Sequence, residues 1–191
     1  LLVVNAQSTE QHIELALDLR GSYQVKNLPG VLSAVDELNT QGFKITEQHL
    51  KNALKQVSSL TGLQGRWEIL GNSPKIIADT GHNKSGITEI LKQIKQEKFN
   101  HLTIILGMVA DKDIDSVLSM FPRDATYYFS QANNPRAISA LELQKIAATK
   151  GLQGKVVLSV NEAITLAKSH SSSSDGILIC GSTYLIGEIT F

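Results

Sequence analysis

The sequence has little of what marks a nucleic-acid-binding, disulfide-stabilised or membrane-spanning protein. Its 18 basic and 18 acidic residues give a formal net charge of zero, so the basic surface expected of a nucleic-acid-binding protein is missing. The single cysteine, Cys180, cannot form an internal disulfide. The apolar runs are much shorter than the ~20 residues that span a bilayer. We therefore expect a cytoplasmic protein with neither nucleic acid nor membrane as a partner.

The beginning of the chain also lacks two ordinary features. The segment LLVVNAQSTEQ contains no initiator methionine and does not have the basic start and cleavage site of a signal peptide. We expect the chain to be a piece of a longer protein. Its 191 residues, 42% of them hydrophobic and 19% charged, suffice for one substantial core, or for one domain and part of a second.

Residues 1–63 are predicted to be the end of one domain, made of a strand and two helices. The segment HIELALDL alternates apolar and polar residues from His12 to Leu19, which predicts a half-buried, antiparallel strand. An apolar pattern from Val31 to Leu38 predicts a helix that ends at Gly42. A second helix is predicted over about 46–59, with Thr46 as its cap.

Residues 64–191 are predicted to form a complete α/β domain. Short apolar runs, KIIAD, LTIILGM, ATYYFS, KVVLSV and GILICGS, alternate with helical patterns. Such alternation predicts a Rossmann-like, mostly parallel sheet with helices on both faces. Ser139 with Glu142 is predicted to cap one of these helices, and Asn161 to cap the next.

The segment KIIADTGHNKSG, residues 75–86, superficially resembles a phosphate-binding loop. A P-loop has the pattern G-x-x-x-x-G-K-[ST], with glycine directly before the lysine. Here Asn83 precedes Lys84, and no other G-K-[ST] or G-x-G-x-x-G occurs in the chain. The segment therefore is not a phosphate loop of either common type.

This segment still places polar residues where open α/β sheets bind ligands, after the carboxyl end of a strand. Asp79 could accept both hydrogen bonds of a ribose diol, and His82 and Asn83 could bind polar ligand atoms. The alternative is that Asp79 only caps the following helix and His82 is a structural loop residue. Spacing alone leaves both interpretations open.

Six segments, in order, carry a resemblance to a known family: GSYQVKN, GRWE, IIADTGHN, GMVADKD, NPRA and ILICGSTYLIGE. Together they resemble the bifunctional folylpolyglutamate synthase/dihydrofolate synthase family of the ATP-dependent Mur ligase superfamily. The resemblance implies that residues 1–63 end a central ATPase domain and that 64–191 form a Mur-ligase-type C-terminal domain. The P-loop and the Mg²⁺ ligands are then expected upstream of this chain.

The resemblance also implies three contacts with ATP. Asn27 matches a residue on the adenine side of the nucleotide, Arg66 matches an arginine that reaches the terminal phosphates, and Asp79 matches an acid that binds the ribose. A guanidinium suits the second role because its planar fork fits phosphate oxygens and it keeps its charge, so Arg66 is also predicted to be catalytic by stabilising the charge that develops during phosphoryl transfer. Without the resemblance, Arg66 would be interpreted as a surface ion-pair residue.

Substrate contacts are predicted from the remaining matches. His82, also predicted to be catalytic, and Asn83 match the family's AHNP, although Gly81 and Lys84 replace its alanine and proline. Lys84 either supplies charge to a substrate or is merely solvated. Further predicted substrate contacts, each with a structural alternative, are Lys112 in DKD, which Asp111 and Asp113 could pair, Arg136 in NPRA and Ser182 after the last strand. Cys180 is predicted to be an inert buried thiol, and no histidine spacing suggests a metal.

The resemblance implies an ATP-dependent ligase that joins L-glutamate to dihydropteroate or folate through an acyl phosphate. The partners would be ATP with Mg²⁺, L-glutamate, folate or dihydropteroate, and the chain's own N-terminal ATPase domain, in a monomer. The isolated piece is expected to be inactive as a ligase, contributing ribose, phosphate and glutamate contacts and domain closure. The alternatives are a non-catalytic nucleotide-binding or interaction module and another Mur-type amino-acid ligase.

Overall fold

The computed structural model describes residues 1–7, 12–110 and 113–190, and its chain forms two compact units that meet in sequence at Arg66 and Trp67. The first unit holds the strands β1 (Leu2–Gln7) and β2 (His12–Leu17) and the helices α1 (Gln24–Thr40), α2 (Glu47–Leu54) and α3 (Val57–Thr61). Within the described ranges, every helix falls short of the length and apolarity that a membrane crossing requires.

The first unit confirms the predicted antiparallel strand and adds a partner for it. β2 pairs with β1 in the register Leu2 with Leu17, and Leu15 and Leu17 of β2 are buried against leucines of α1 and α2. The prediction of one helix over 46–59 is wrong, because the helix ends at Leu54 and α3 begins at Val57. Thr46 does cap α2, since its side chain accepts a hydrogen bond from the His49 amide.

The second unit alternates strands and helices along most of its length. Its elements are β3 (Glu68–Asn72), β4 (Lys75–Ala78), α4 (Lys84–Ile94), β5 (Leu102–Leu106), α5 (Ile114–Leu118), β6 (Thr126–Phe129), α6 (Ala140–Thr149), β7 (Gly154–Val156), α7 (Val160–Ser169), β8 (Gly176–Cys180) and α8 (Thr183–Ile186). All five predicted strands are present. The predictions omitted β3 and α8.

The second unit is built on a six-stranded sheet in the order β3-β4-β8-β5-β6-β7. β3 pairs antiparallel with β4, and the other neighbouring pairs are parallel. The predicted fold class, a mostly parallel α/β sheet, is therefore confirmed. β8, the last strand along the chain, is inserted between β4 and β5.

Helices cover both faces of this sheet, as predicted. Ile77 and Leu178 point to one face, where they join a core with apolar residues of α4, α5 and α6. Their neighbours Ile76 and Ile177 point to the opposite face and pack with α7 and α8. Because successive strand residues alternate between faces, a strand covered on both sides reads as a continuous apolar run.

Two predicted caps had different outcomes. Ser139 caps α6, since its Oγ accepts a hydrogen bond from the Glu142 amide at 3.2 Å. The prediction for Asn161 is wrong, because Ser159 caps α7 and Asn161 lies inside that helix. The Asn161 amide instead binds the Glu188 carbonyl oxygen at 2.8 Å, which fastens the chain's last segment to α7.

Candidate functional site

The sheet order creates a crevice at the carboxyl ends of β4, β8 and β5. The chain continues from β4 and β5 to α4 and α5 on one face, and from β8 to α8 on the other. Neighbouring strands whose connections leave to opposite faces open a crevice, and ligands of open α/β sheets bind there. The segments after these three strands therefore form the ligand-facing rim of the second unit.

A cavity of about 250 Å³ lies at this rim. Its lining residues come from the connections after β4, β5, β6 and β8: His82, Val109, Arg136, Ser182, Thr183 and Tyr184. Three residues predicted from separate segments, His82, Arg136 and Ser182, are thus brought together. The cavity offers a cation, an imidazole and hydroxyl groups, which suit a small polar anion.

The His82 ring is oriented by a backbone carbonyl. Its Nδ1 lies 3.0 Å from the carbonyl oxygen of Thr80. A carbonyl oxygen can only accept, so Nδ1 must carry the proton of this hydrogen bond. In the neutral imidazole, Nε2 is then the acceptor. His82 can therefore receive a proton or a hydrogen bond at Nε2 from a ligand in the cavity.

Arg136 supplies the positive charge of the cavity. Its Nη1 donates to the phenolic oxygen of Tyr184 at 3.5 Å, and its backbone is held by hydrogen bonds to Ala110 and Asn134. Its side chain is exposed, so the guanidinium can meet a carboxylate or phosphate at the rim.

Ser182 is placed by a tight approach of two strand ends. It is buried, and its Oγ accepts a hydrogen bond from the Tyr184 amide at 3.1 Å. Gly181 before it has φ +100°, and a Cβ there would lie 2.5 Å from the carbonyl oxygen of Gly107. Only glycine fits this position, so the turn into α8 is fixed.

Asp79 is the most constrained polar residue at the rim. Its side chain is 2% exposed, Oδ2 accepts from the Trp67 amide at 2.9 Å and Oδ1 accepts from the Gly81 amide at 2.8 Å. The alternative that Asp79 only caps α4 is wrong, because Asn83 caps that helix by accepting from the Gly86 amide at 2.9 Å.

Trp67, whose amide binds Asp79, has an unusual backbone conformation. Its φ is +53°, a left-handed backbone that costs a non-glycine residue roughly 1–2 kcal/mol. Its indole is buried in the core of the second unit. Burial of the ring and the hydrogen bond to Asp79 together offset the backbone cost.

Lys84 takes up an ion pair at the rim. Its Nζ lies 3.2 Å from Oδ2 of Asp113 across two exposed side chains. A hydrogen bond from Ser116 and, next, the contact with Lys84 lower the pKa of Asp113 below its ordinary value of 3.8. Lys84 thus forms an exposed ion pair and is not one of the residues that line the cavity. Lys112 lies outside the described residues.

The two other predicted ATP contacts belong to the first unit. Asn27 lies in the first turn of α1, exposed, and its Nδ2 donates to Oε1 of Gln24 at 2.9 Å. Arg66 is the last residue of that unit, in the segment between Gly65 and Trp67. The structure thus assigns the predicted nucleotide contacts Asn27 and Arg66 to one unit and Asp79 to the other.

Sequence reasoning missed several lining residues. Tyr184 and Thr183 follow Ser182 in GSTYLIGE, where their position directly after a strand could have indicated them. For Val109, no feature of the sequence indicated a place at the cavity.

Burial raises the pKa of the Cys180 thiol far above its ordinary range, in agreement with the predicted inert residue. In the described part of the chain, no cluster of three His, Cys, Asp or Glu residues is placed to hold a metal ion.

A larger cavity of about 340 Å³ lies at the opposite, amino edge of the sheet. Partly buried apolar side chains, among them Phe99 and Met120, line it together with Lys95, Lys98 and His101. The His101 ring is bonded through Nε2 to the hydroxyl of Thr126 at 2.9 Å. This cavity is formed by strand beginnings, where open α/β sheets seldom bind ligands.

Comparison with known proteins covers both units. The family model described as Mur ligase, glutamate ligase domain, matches residues 65–183. The chain is 26% identical over 163 residues to the dihydrofolate synthase/folylpolyglutamate synthase of Escherichia coli (strain K12), covering 84% of the chain and 37% of that protein. It is 28% identical to the "Probable dihydrofolate synthetase" of Schizosaccharomyces pombe, covering 90% and 43% respectively.

Solved structures share the fold. A Mycobacterium tuberculosis folylpolyglutamate synthase complexed with ADP and AMPPCP has a TM-score of 0.79 at 21% identity, covering 97% of this chain and 43% of that one. E. coli FolC in complex with ADP, without folate substrate, gives 0.73 at 23% identity, with 94% and 41% covered. The chain thus spans about two fifths of the length of the proteins it matches.

Proposed function

Because the chain belongs to the family of Mur ligase glutamate ligase domains, we propose that it is the C-terminal part of an ATP-dependent ligase that adds L-glutamate to dihydropteroate or folate. The observation that carries this proposal is the cavity shared by His82, Arg136 and Ser182. It lies where the fold binds ligands, and its charge suits an amino acid with carboxylates. Relatives named as dihydrofolate and folylpolyglutamate synthases support the folate substrate class.

In the proposed reaction, ATP phosphorylates the carboxylate of the folate-type substrate, since a free carboxylate is a poor acyl donor at neutral pH. The amino group of glutamate then attacks the acyl carbon, an amide bond forms and inorganic phosphate leaves. Arg136 pairs with a glutamate carboxylate. His82 accepts the proton that the amine loses, through Nε2. Ser182 and Asn83 complete the predicted polar contacts; in the structure their side-chain oxygens also cap α8 and α4 by accepting hydrogen bonds from the Tyr184 and Gly86 amides.

Nucleotide binding is proposed to use Asn27 on the adenine side and Arg66 on the terminal phosphates. Structural neighbours crystallised with ADP, or with AMPPNP and Mn, support a nucleotide and a divalent metal in this fold family. The metal ligands are proposed to lie in an upstream ATPase domain, of which residues 1–63 are the end. Asp79 is proposed to contact the ribose: each of its carboxylate oxygens accepts one backbone amide and can accept a second hydrogen bond.

The test is an assay of the product of the complete gene. We expect ADP release that requires both L-glutamate and dihydropteroate or folate. Arg66→Ala should lower turnover by about 10³-fold, because a guanidinium on transferring phosphate supplies that order of rate. The 191-residue chain alone should release no ADP. Wild-type turnover in Arg66→Ala would refute the proposed contact of Arg66 with the terminal phosphates. Ligase activity in the isolated chain would refute the proposal that the reaction needs an upstream ATPase domain.

The same experiment separates the competing functions. A non-catalytic nucleotide-binding module would bind ATP with full affinity as the isolated chain, whereas the proposal expects much weaker binding there. Another Mur-type ligase would release ADP with a different amino acid or acceptor. We further propose that the protein is a cytoplasmic monomer, which size-exclusion chromatography and cell fractionation would check.

A further inference from the structure

We propose that Glu188 is a positioning residue that holds together the two segments from which the cavity at the carboxyl edge takes Arg136 and Ser182. These segments are the β6–α6 connection (residues 130–139) and the segment after β8 (residues 181–190). The kinetic part of this inference rests on the proposed function, whereas its structural part concerns the chain alone. Glu188 ends the sequence ILICGSTYLIGE but had no predicted role there.

The two segments follow strands that are not neighbours in the sheet. β5 lies between β8 and β6, so no ladder of backbone hydrogen bonds joins the ends of these two strands. The bond between Arg136 and Tyr184 is long, with 3.5 Å between Nη1 and the phenolic oxygen, and such a distance indicates a weak hydrogen bond. A firmer connection is needed if Arg136 is to keep its place relative to Ser182.

The Glu188 carboxylate makes such a connection. Its Oε1 accepts a hydrogen bond from the Asn133 amide at 2.6 Å. Hydrogen bonds to ionised acceptors are shorter and stronger than those between neutral groups, and this bond has the short length expected of them. It joins two residues that lie 55 positions apart in sequence. The segment after β8 is thus fastened to the start of the turn that carries Arg136.

The turn after Asn133 passes the position of this amide on to Arg136. Oδ1 of Asn134 accepts from the Arg136 amide at 2.9 Å, and the Asn134 carbonyl oxygen accepts from the Ala137 amide at 2.9 Å. The Arg136 carbonyl oxygen accepts in turn from the Ala110 amide at 2.8 Å. Because these bonds hold the turn together, a fixed Asn133 also fixes the backbone from which the Arg136 side chain extends.

The backbone of Glu188 is itself held in place. Its N–H donates to the Leu185 carbonyl oxygen of α8 at 3.3 Å, and its carbonyl oxygen accepts from Nδ2 of Asn161 at 2.8 Å. Oδ1 of Asn161 accepts from the Thr190 amide at 3.0 Å. Since Asn161 belongs to α7, the Glu188 side chain starts from a point that two helices fix.

The location of Glu188 favours positioning over direct contact with a ligand. Among the described residues, Arg136 and Ser182 line the cavity and Glu188 does not. A further carboxylate in the cavity would also repel the carboxylates of a glutamate substrate, because like charges at short distance disfavour each other. Glu188 therefore acts on the cavity through the Asn133 amide.

The structural part is tested by NMR on the 191-residue chain. We expect a hydrogen-bond scalar coupling between the Asn133 amide nitrogen and the side-chain carboxyl carbon of Glu188. In Glu188→Ala, the Asn133 amide should exchange with solvent at least five times faster, because it loses its acceptor. Glu162→Ala, which removes an exposed carboxylate from α7, is the control and should leave the exchange of Asn133 unchanged.

Two outcomes would overturn the structural part. One is the absence of the coupling in the wild-type chain, a measurement that does not depend on whether a variant folds. The other is an unchanged exchange rate of the Asn133 amide in a folded Glu188→Ala chain.

The kinetic part is tested in the complete gene product. We expect Glu188→Ala to raise KM for L-glutamate about 10-fold, the effect of losing one hydrogen bond to a charged group, while kcat and KM for ATP stay within threefold of wild type. Glu188→Gln should recover most of this loss, because its amide oxygen can accept the same hydrogen bond. Arg136→Ala should cost less in the Glu188→Ala background than in the wild type, because both changes disturb one contact.

Three kinetic results would overturn the inference. The first is a KM for L-glutamate within twofold of wild type in a folded Glu188→Ala protein. The second is a Glu188→Gln protein as impaired as Glu188→Ala, which a direct contact between the carboxylate and the substrate's ammonium group predicts. The third is a multiplicative effect of Glu188→Ala and Arg136→Ala, which would show that Glu188 does not act through Arg136.

Failure of the inference can be told apart from failure of the proposed function. If the wild-type gene product has no ligase activity, the proposed function fails. The coupling and the exchange rate of the Asn133 amide then still decide whether Glu188 holds the two segments together.

Discussion

The two edges of the six-stranded sheet present different chemistry. At the amino edge, the larger cavity of about 340 Å³ has an apolar floor and side chains from one helix end and the strand beginnings. At the carboxyl edge, the smaller cavity of about 250 Å³ draws a histidine, an arginine and hydroxyl groups from three separate connections. The larger cavity is therefore not the one at the edge where open α/β sheets bind ligands.

At the carboxyl edge, polar residues from separate connections meet around one crevice. Connections that leave neighbouring strands toward opposite faces expose backbone and side chains around one crevice. His82, Arg136 and Ser182 meet there although they are far apart in sequence. At the amino edge, the cavity draws on two connections: Lys95, Lys98 and His101 lie close together before β5, and Asp124 lies before β6. The difference identifies the carboxyl edge as the candidate site.

The largest expected difference between the two edges comes from a matched pair of histidines. His82→Ala should lower glutamate-dependent turnover of the complete gene product by about 10²–10³-fold, because it removes a proton acceptor. His101→Ala, at the amino edge, should leave turnover within twofold. Steady-state ADP release measures both. Equal losses of turnover in the two variants would contradict the assignment of the functional site to the carboxyl edge.

Gly181→Ala should be the most destabilising small change at the carboxyl edge. A Cβ on a residue with φ +100° would meet the Gly107 carbonyl oxygen at 2.5 Å, which we expect to cost about 3 kcal/mol. Urea unfolding followed by the fluorescence of Trp67, the single tryptophan, measures it. Gly187→Ala is the control, since its Cβ would approach no atom closer than 3.5 Å; a similar loss there would contradict the argument.

At the amino edge, Lys98→Gly should stabilise the second unit. Lys98 has φ +53°, so glycine relieves about 1 kcal/mol of backbone cost, less the entropy that glycine adds to the unfolded chain. The same unfolding experiment should show a higher urea midpoint. Lys95→Gly should lower the midpoint, because Lys95 has right-handed helical backbone; equal shifts in both variants would contradict the assigned strain.

The smallest effect concerns the ion pair beside the carboxyl edge. Lys84→Ala should raise the pKa of Asp113 only part of the way toward 3.8, because the Ser116 hydrogen bond, the larger cause, remains. A lowered folded-state pKa stabilises the protein above pH 3.8, and this contribution is lost as the pH falls through the folded-state value. Carboxyl carbon NMR measures the titration. A pKa of Asp113 that does not change would show that the pair is not formed in solution.

Much of the second unit was predictable because its strands are buried on both faces. Continuous apolar runs such as LTIIL and GILIC indicate strands that are covered on both faces. β3 was not predictable in this way, because it is an antiparallel strand of the sheet edge with a register shift between Ile69 and Gly71. α8 has only four residues, too few for a helical period.

The sequence predicted at which edge of the sheet the candidate residues lie better than it predicted their hydrogen bonds and ion pairs. Strand ends and the family resemblance located His82, Arg136 and Ser182, since topology brings strand ends together. The pairing of Lys84 with Asp113 depends on where α4 and α5 begin in space, which spacing does not give. The two bonds of Asp79 depend on a left-handed Trp67, a conformation that no residue preference would suggest.

The most direct test compares one cation at each edge of the sheet. In the complete gene product, we measure kcat/KM for L-glutamate at saturating ATP and folate-type substrate, for Arg136→Ala and Lys98→Gly. We expect Arg136→Ala to lose about 100-fold, as a lost charge-assisted contact to a carboxylate would, and Lys98→Gly to stay within twofold of wild type. An unchanged kcat/KM in Arg136→Ala would contradict the placement of glutamate at the carboxyl edge.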